Sequence, residues 1–253
     1  MCLIVCLQRA RTDYPVILAA NRDEFHARAA APVSRIGESP RVWAPRDLLA
    51  GGTWLGVNEH GLLVAVTNGP TDVIDRRRAS RGTLCLEALG RPTAAEAIEW
   101  ARHEASPDRY NPFRLLCVDA ADVFLLIASA GRSEVRALAP GLHVITNKHE
   151  PDGWWPPSLD AIAHQAHEAP IARVLTMLGE VARCHEEFGD PPFASCKHSA
   201  TRGTRSSALV ALAAKHPEES FWWETERAPC EQPYVDRSAL FRDARSASPG
   251  SRG

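Results

Sequence analysis

Apolar residues in this chain fall in short, unbroken runs. Residues 3–7 and 16–20 are two such runs, joined by the polar segment 8–14. Their length and the polar connection predict two strands of an antiparallel hairpin. Neither run alternates, so the sheet is expected to be covered on both faces. A polar stretch rich in Ala and Pro follows, over residues 22–45, and is assigned no element. Residues 53–57 and 62–67 read as strands around the turn Asn58-Glu59-His60-Gly61. Residues 81–89 read as a helix. Thr93 is an N-cap candidate for the next one, with Glu96 in the capping-box position and Ala95, Ile98, Ala101 and Arg102 at helical spacing. Strands are expected again over 113–118, 123–128 and 142–146. A helical block broken near Pro170 spans 159–185, and the last strands are expected over 207–213 and 220–225.

Strands, helices, strands, helices, strands is not a βαβ alternation. It favours an α+β layered fold with antiparallel sheets. No linker divides the chain, so residues 1–245 read as one domain. Residues 246–253, rich in Ser, Gly, Pro and Arg, read as a disordered tail.

Composition narrows the function classes. The 253 residues carry a formal net charge of −2, which gives no electrostatic footprint for nucleic acid. The run Asp75-Arg76-Arg77-Arg78 reads as a solvated loop. No stretch approaches the roughly 20 apolar residues of a membrane span. The first apolar run lacks a basic lead and is too short for a signal peptide. These features predict a soluble, cytoplasmic protein without a transmembrane segment. The seven cysteines (Cys2, Cys6, Cys85, Cys117, Cys184, Cys196 and Cys230) include no C-x-x-C pair, so neither a disulfide framework nor a zinc site is expected. His149, His198 and the other histidines match no metal-ligand pattern and read as ordinary.

Cys2 differs by its position. Removal of Met1 would give residue 2 both a thiol and a free amine. Thiols attack as thiolates, with an ordinary pKa near ~8.5, and an α-amine titrating near ~7.7–8 can take the proton. Acyl transfer also needs donors for the oxyanion. Asn68 in VAVTNGP and Asn147 in HVITNKH both follow Thr at the end of an apolar run. The competing reading is that each simply begins a turn. Arg22 and Asp23 end the strand expected to pair with that of Cys2, so antiparallel geometry returns them to its level. The competing reading there is a surface ion pair. Gly51-Gly52-Thr53 marks a tight turn into a strand or a place where substrate approaches the backbone. Trp154-Trp155 and Trp222-Trp223 read as core or pocket wall.

MCLIVCLQ, ILAANRDEF, GGTWLGVN with LLVAVTN, the ITN segment, and GTRSSALVAL with FWWETE together resemble the NRDE family, which includes the transport-and-Golgi-organisation proteins of animals. The resemblance spans residues 2–225. It implies a four-layer αββα N-terminal-nucleophile hydrolase fold, distantly similar to penicillin V acylase and bile salt hydrolase. Carried over, Cys2 is the nucleophile, Arg22 and Asp23 stand where an Arg/Asp pair is expected, Asn147 and Asn68 are oxyanion donors, and Arg205 in GTRSS is the late arginine. Ser206-Ser207 stands where the family has Thr-Asn. The function implied is a cysteine amidohydrolase acting on a linear amide or acyl bond of a small molecule, with no cofactor required. Animal members are associated with haem handling and acyl-CoA or lipid metabolism. The alternative is therefore a non-catalytic carrier with haem or acyl-CoA as cargo in the same pocket.

Overall fold

The computed structural model describes residues 3–71, 73–106, 108–129, 131–153, 155–190 and 192–242. Cys2, Trp154 and the segment 246–253 lie outside the described residues. Strands β1 (Leu3–Gln8) and β2 (Val16–Phe25) form the expected hairpin, with Leu3 opposite Asn21 and Gln8 opposite Val16. β2 runs five residues further than its apolar run suggests. Asn21, Arg22, Asp23 and Glu24 therefore lie inside a strand. A long late strand pairs along β2 and supplies the backbone partners these polar residues need.

The Ala- and Pro-rich stretch is β3 (Ala30–Ile36) and β4 (Val42–Asp47), not irregular chain. Prolines obscured both strands. β3 is an edge strand with a register shift between Ala31 and Ser34, so the missing N–H of Pro32 falls at an irregularity. Pro45 lies beyond the two β4 residues that pair with the next strand. Then come β5 (Leu55–Asn58), β6 (Leu63–Asn68), α1 (Arg81–Ala88) and α2 (Ala94–Glu104). Thr93 caps α2 as expected, its hydroxyl accepting from Glu96 N at 3.1 Å. Gly52 is required by close approach: a Cβ there would lie 2.2 Å from the carbonyl carbon of Gly82 at the start of α1.

The chain continues through β7 (Phe113–Val118), β8 (Val123–Ser129), β9 (Arg132–Ala137), β10 (Gly141–Thr146), α3 (Pro157–Gln165) and α4 (Ile171–Ala182). It ends with β11 (Arg202–Leu212), β12 (Phe221–Thr225), β13 (Val235–Asp236) and α5 (Ala239–Arg242). β9 escapes the apolar pattern because it is an exposed sheet edge, RSEVRA.

The strands form two antiparallel sheets. One runs β10-β1-β2-β11-β12-β13 and the other β3-β4-β5-β6-β7-β8-β9. They stack on a core that includes Ile4, Leu18 and Val210 from the first sheet and Leu63, Ala65 and Leu116 from the second. α3 and α4 cover the outer face of the first sheet, with Val174, Leu175, Leu178 and Val181 against Val5, Ile17 and Leu209. α1 and α2 cover the second. This is the four-layer αββα order. Both sheets are buried on two faces, which is why the apolar runs do not alternate. Among the described residues, no helix is long and apolar enough to cross a membrane.

Candidate active site

Alternation along the strands sorts the polar residues of β2. Leu18 and Ala20 face the other sheet, whereas Ile17 and Ala19 face α4. Asn21 continues the α4-facing series. Its amide donates to the carbonyls of Ala182 and Ser195 at 2.7 and 2.8 Å, which pins β2 to the end of α4. Arg22 continues the inter-sheet series. It is 4% exposed, pairs with Asp47 at 3.0 Å, and lies over the Trp54 ring at 4.3 Å. Burial pulls its pKa down, and Asp47 opposes that. Asp23 accepts from the Thr204 hydroxyl at 2.7 Å and pairs with Lys197 at 3.3 Å. Glu24 pairs with Arg28 at 3.5 Å. Each of the four residues thus has its own set of partners.

Arg205 sits at the register shift of β11, between Thr204 opposite Asp23 and Ser206 opposite Arg22. A bulge there re-aims its side chain. Arg22 and Arg205 line one cleft of ≈ 460 Å³ with Trp54, Pro45, Ser206 and Glu224. The Arg205 Nε is buried and has no hydrogen-bond partner among the described residues. Glu224 accepts from Val33 N and from the Trp222 indole, and burial raises its pKa above the usual carboxylate range.

Asn147 follows β10 and is held by a clamped turn. The Thr146 hydroxyl accepts from Lys148 N at 3.2 Å and His149 N at 3.0 Å. Arg114, reaching across from β7, donates to the carbonyls of Thr146 and His149, the latter at 2.6 Å. Ile145 faces the inter-sheet core and Val144 faces α3. Asn147 is the first residue past β10, and its Oδ1 is buried without a partner among the described residues.

Asn68 stands apart from this group. It ends β6 in the other sheet, opposite Phe113, and strand alternation assigns it with Val64 and Val66 to the helix-covered face. Arg22, Arg205 and Asn147 thus gather at one end of the first sheet, while Asp23 braces the loop beside it. Cys2 lies outside the described residues. Asp47, Trp54, Arg114 and Glu224 were not singled out from sequence. The GGTW stretch around Trp54 and the FWWETE motif that holds Glu224 were the local signals, whereas Asp47 and Arg114 come from strands far apart along the chain.

Comparison with known proteins bears on the fold and the family. The fold matches penicillin V acylase from Agrobacterium tumefaciens with a TM-score of 0.55 at 13% identity, over 94% of this chain and 88% of that one. It also matches a Caenorhabditis elegans N-acylethanolamine-hydrolyzing acid amidase ortholog with a TM-score of 0.56 at 12% identity, over 82% and 92%. The fold is therefore that of the N-terminal-nucleophile hydrolases. A Transport and Golgi organization protein 2 homolog of Bos taurus is 32% identical over 146 residues, covering 54% of this chain. The chain spans about half the length of that relative, 52%. A family model described as Transport and Golgi organisation 2 matches residues 1–173, and with the layered sheets this identifies the chain as a member of the Transport and Golgi organisation 2 family.

Proposed function

We propose that the protein is a cysteine amidohydrolase that cleaves a linear amide or related acyl bond, with Cys2 as nucleophile once Met1 is removed. One observation carries the reading. β1 opens at Leu3, opposite Asn21 on β2 and Thr146 on β10. One residue further along those two neighbours lie Asn147 and Arg22, the latter facing the other sheet through Asp47 and Trp54. The reading assigns Cys2 to the gap between them. The acylase and amidase names of the structural neighbours support the reaction class.

In this mechanism the Cys2 amine takes the thiol proton and the sulfur attacks the acyl carbon. Asn147 Nδ2 donates to the oxyanion, and its buried Oδ1 accepts from the amine. The ammonium returns its proton to the leaving amine. Water, deprotonated by the same amine, then releases the acyl group from the thioester. Arg22 and Arg205 supply positive potential that favours the thiolate. Trp54 and Pro45 offer an apolar wall for the acyl portion.

Mass spectrometry after exposure to an activated acyl ester tests this directly. The expected result is a chain beginning at Cys2 with one acyl group on that residue, lost in Cys2→Ser. A chain that keeps Met1, or an adduct unchanged in Cys2→Ser, overturns the proposal. Asn147→Ala should slow acylation on the order of 10²–10³-fold, as removal of an oxyanion donor does. Asn68→Ala should change it far less. A carrier of haem or acyl-CoA would instead bind its ligand without any adduct.

A further inference from the structure

Away from the cleft, four side chains converge that no sequence spacing linked: His185 after α4, Cys196 and His198 in the loop before β11, and Cys230 in the turn after β12. One ligand-type atom of each lies within 4.8 Å of the others. Cys196 Sγ is 3.5 Å from Cys230 Sγ and 3.6 Å from His198 Nε2, and His198 Nε2 is 3.1 Å from Cys230 Sγ. The His185 ring meets the His198 ring edge-on, with centroids 5.2 Å apart. Tetrahedral zinc, with bonds of about 2.0 Å to nitrogen and about 2.3 Å to sulfur, spaces its ligand atoms about 3.3–3.8 Å apart. The three edges among Cys196, His198 and Cys230 lie within a few tenths of an ångström of that range, and His185 reaches within 4.8 Å of each, so closing the fourth vertex takes only a small shift of its ring. The sulfur–sulfur distance is far beyond the ~2.0 Å of a disulfide bond.

The surroundings also suit a metal. His198 turns Nε2 toward both sulfurs and Nδ1 toward Glu231 Oε1 at 3.5 Å. A carboxylate behind a histidine is the usual device for fixing a ligand's tautomer. The Cys196 loop is tied down on both sides. Cys196 N donates to Cys184 O at 2.9 Å, Lys197 N donates to the Thr204 hydroxyl at 3.0 Å, and Ser195 O accepts from Asn21.

We propose that His185, Cys196, His198 and Cys230 form a tetrahedral zinc site that staples the segment after α4, the loop before β11 and the turn after β12. Two thiols and two neutral imidazoles suit zinc by softness and geometry. Binding releases the two thiol protons to solvent, and two thiolates balance the dication. Four protein ligands leave no open position, so the site is structural. It holds the loop that carries Lys197, a partner of Asp23, and that leads into β11 with Thr204 and Arg205.

The full chain, purified with reductant and without chelator, should carry one zinc per chain by elemental analysis. After chelation it should bind cobalt one to one, with thiolate charge-transfer and tetrahedral d–d absorption that zinc abolishes. Cys230→Ser, whose side chain is exposed, and His185→Ala should each lose that absorption while keeping their far-ultraviolet circular dichroism. Cys184→Ser should retain it. Three results would overturn the site: no cobalt bands from the reduced chain, bands that survive in Cys230→Ser, or a Cys196–Cys230 disulfide in protein purified without oxidant. None of these measurements depends on hydrolysis, so the site and the proposed reaction stand or fall separately.

Discussion

Asp47 shows how much one carboxylate can organise. It accepts from Arg22 at 3.0 Å and from Arg28 at 2.7 Å, while its other oxygen receives Leu49 N and Ala50 N. Burial opposes its ionisation, but the Ala50 N–H and then the two arginines outweigh that and hold its pKa below the usual carboxylate range. Its folded pKa is depressed, so this stabilisation is fully present above about pH 4 and is lost as pH falls through the folded value. Asp47→Ala should cost about 3–5 kcal/mol in urea unfolding, because it strands the buried Arg22. Asp47→Asn should cost less, since an amide oxygen can still accept from Leu49 and Ala50. At this scale the sequence was legible where chemistry marks a residue locally. Arg22, Asn147 and Arg205 stood out as polar groups at strand ends or in short motifs. Asp47 and Arg114 did not, because each acquires its role only from a partner on a distant strand.

Single elements were legible where they are apolar and central. β1, β6 and β7 bury whole runs and were expected nearly to the residue. β3 and β9 were missed because edge strands tolerate proline and charge, which erases the pattern, and β4 because it carries Pro45 beyond the residues that pair with β5. β10 carries a titratable fastening that bears on the turn at Asn147. His143 Nδ1 meets Asp152 at 2.8 Å, Nε2 meets the Ala139 carbonyl at 2.8 Å, and Asp152 also accepts from Val144 N at 2.7 Å. A ring with an acceptor on each nitrogen is best satisfied when protonated. Burial pulls the His143 pKa down, but the hydrogen bond and the charge of Asp152, together with the Ala139 carbonyl, outweigh it, and the net shift is upward. The contribution is therefore complete below the unfolded value of about 6.5 and disappears as pH rises through the folded value. Urea midpoints should decline on going from about pH 6 to pH 8 in the parent chain. His143→Gln should remove that part of the pH dependence.

The molecule as a whole depends on how its two sheets are joined, and apolar packing is only part of that. Arg114 leaves β7 in one sheet and ends on the carbonyls of Thr146 and His149 at the end of β10 in the other. It is 2% exposed. Arg114→Met keeps much of the volume and strands both carbonyls, so stability should drop by about 1–3 kcal/mol. Under the proposed reaction, kcat should fall more than KM rises, because the turn that aims Asn147 is loosened while the cleft around Trp54 is untouched. The layered order of strands and helices was readable from sequence, since it follows from run lengths and breaks. The strand neighbours were not, because β1 is flanked on one side by the next strand and on the other by β10, from the second half of the chain.

That last adjacency sets an order of events. A ribosome-bound chain can zip β1 to β2 early, yet one flank of β1 stays bare until residues 141–146 emerge, and distant pairings of this kind close slowly. The stroke that shields this flank also brings Asn147 to the sheet end that carries Arg22, with the line of β1 between them. The polar corner would then be finished among the last parts of the fold.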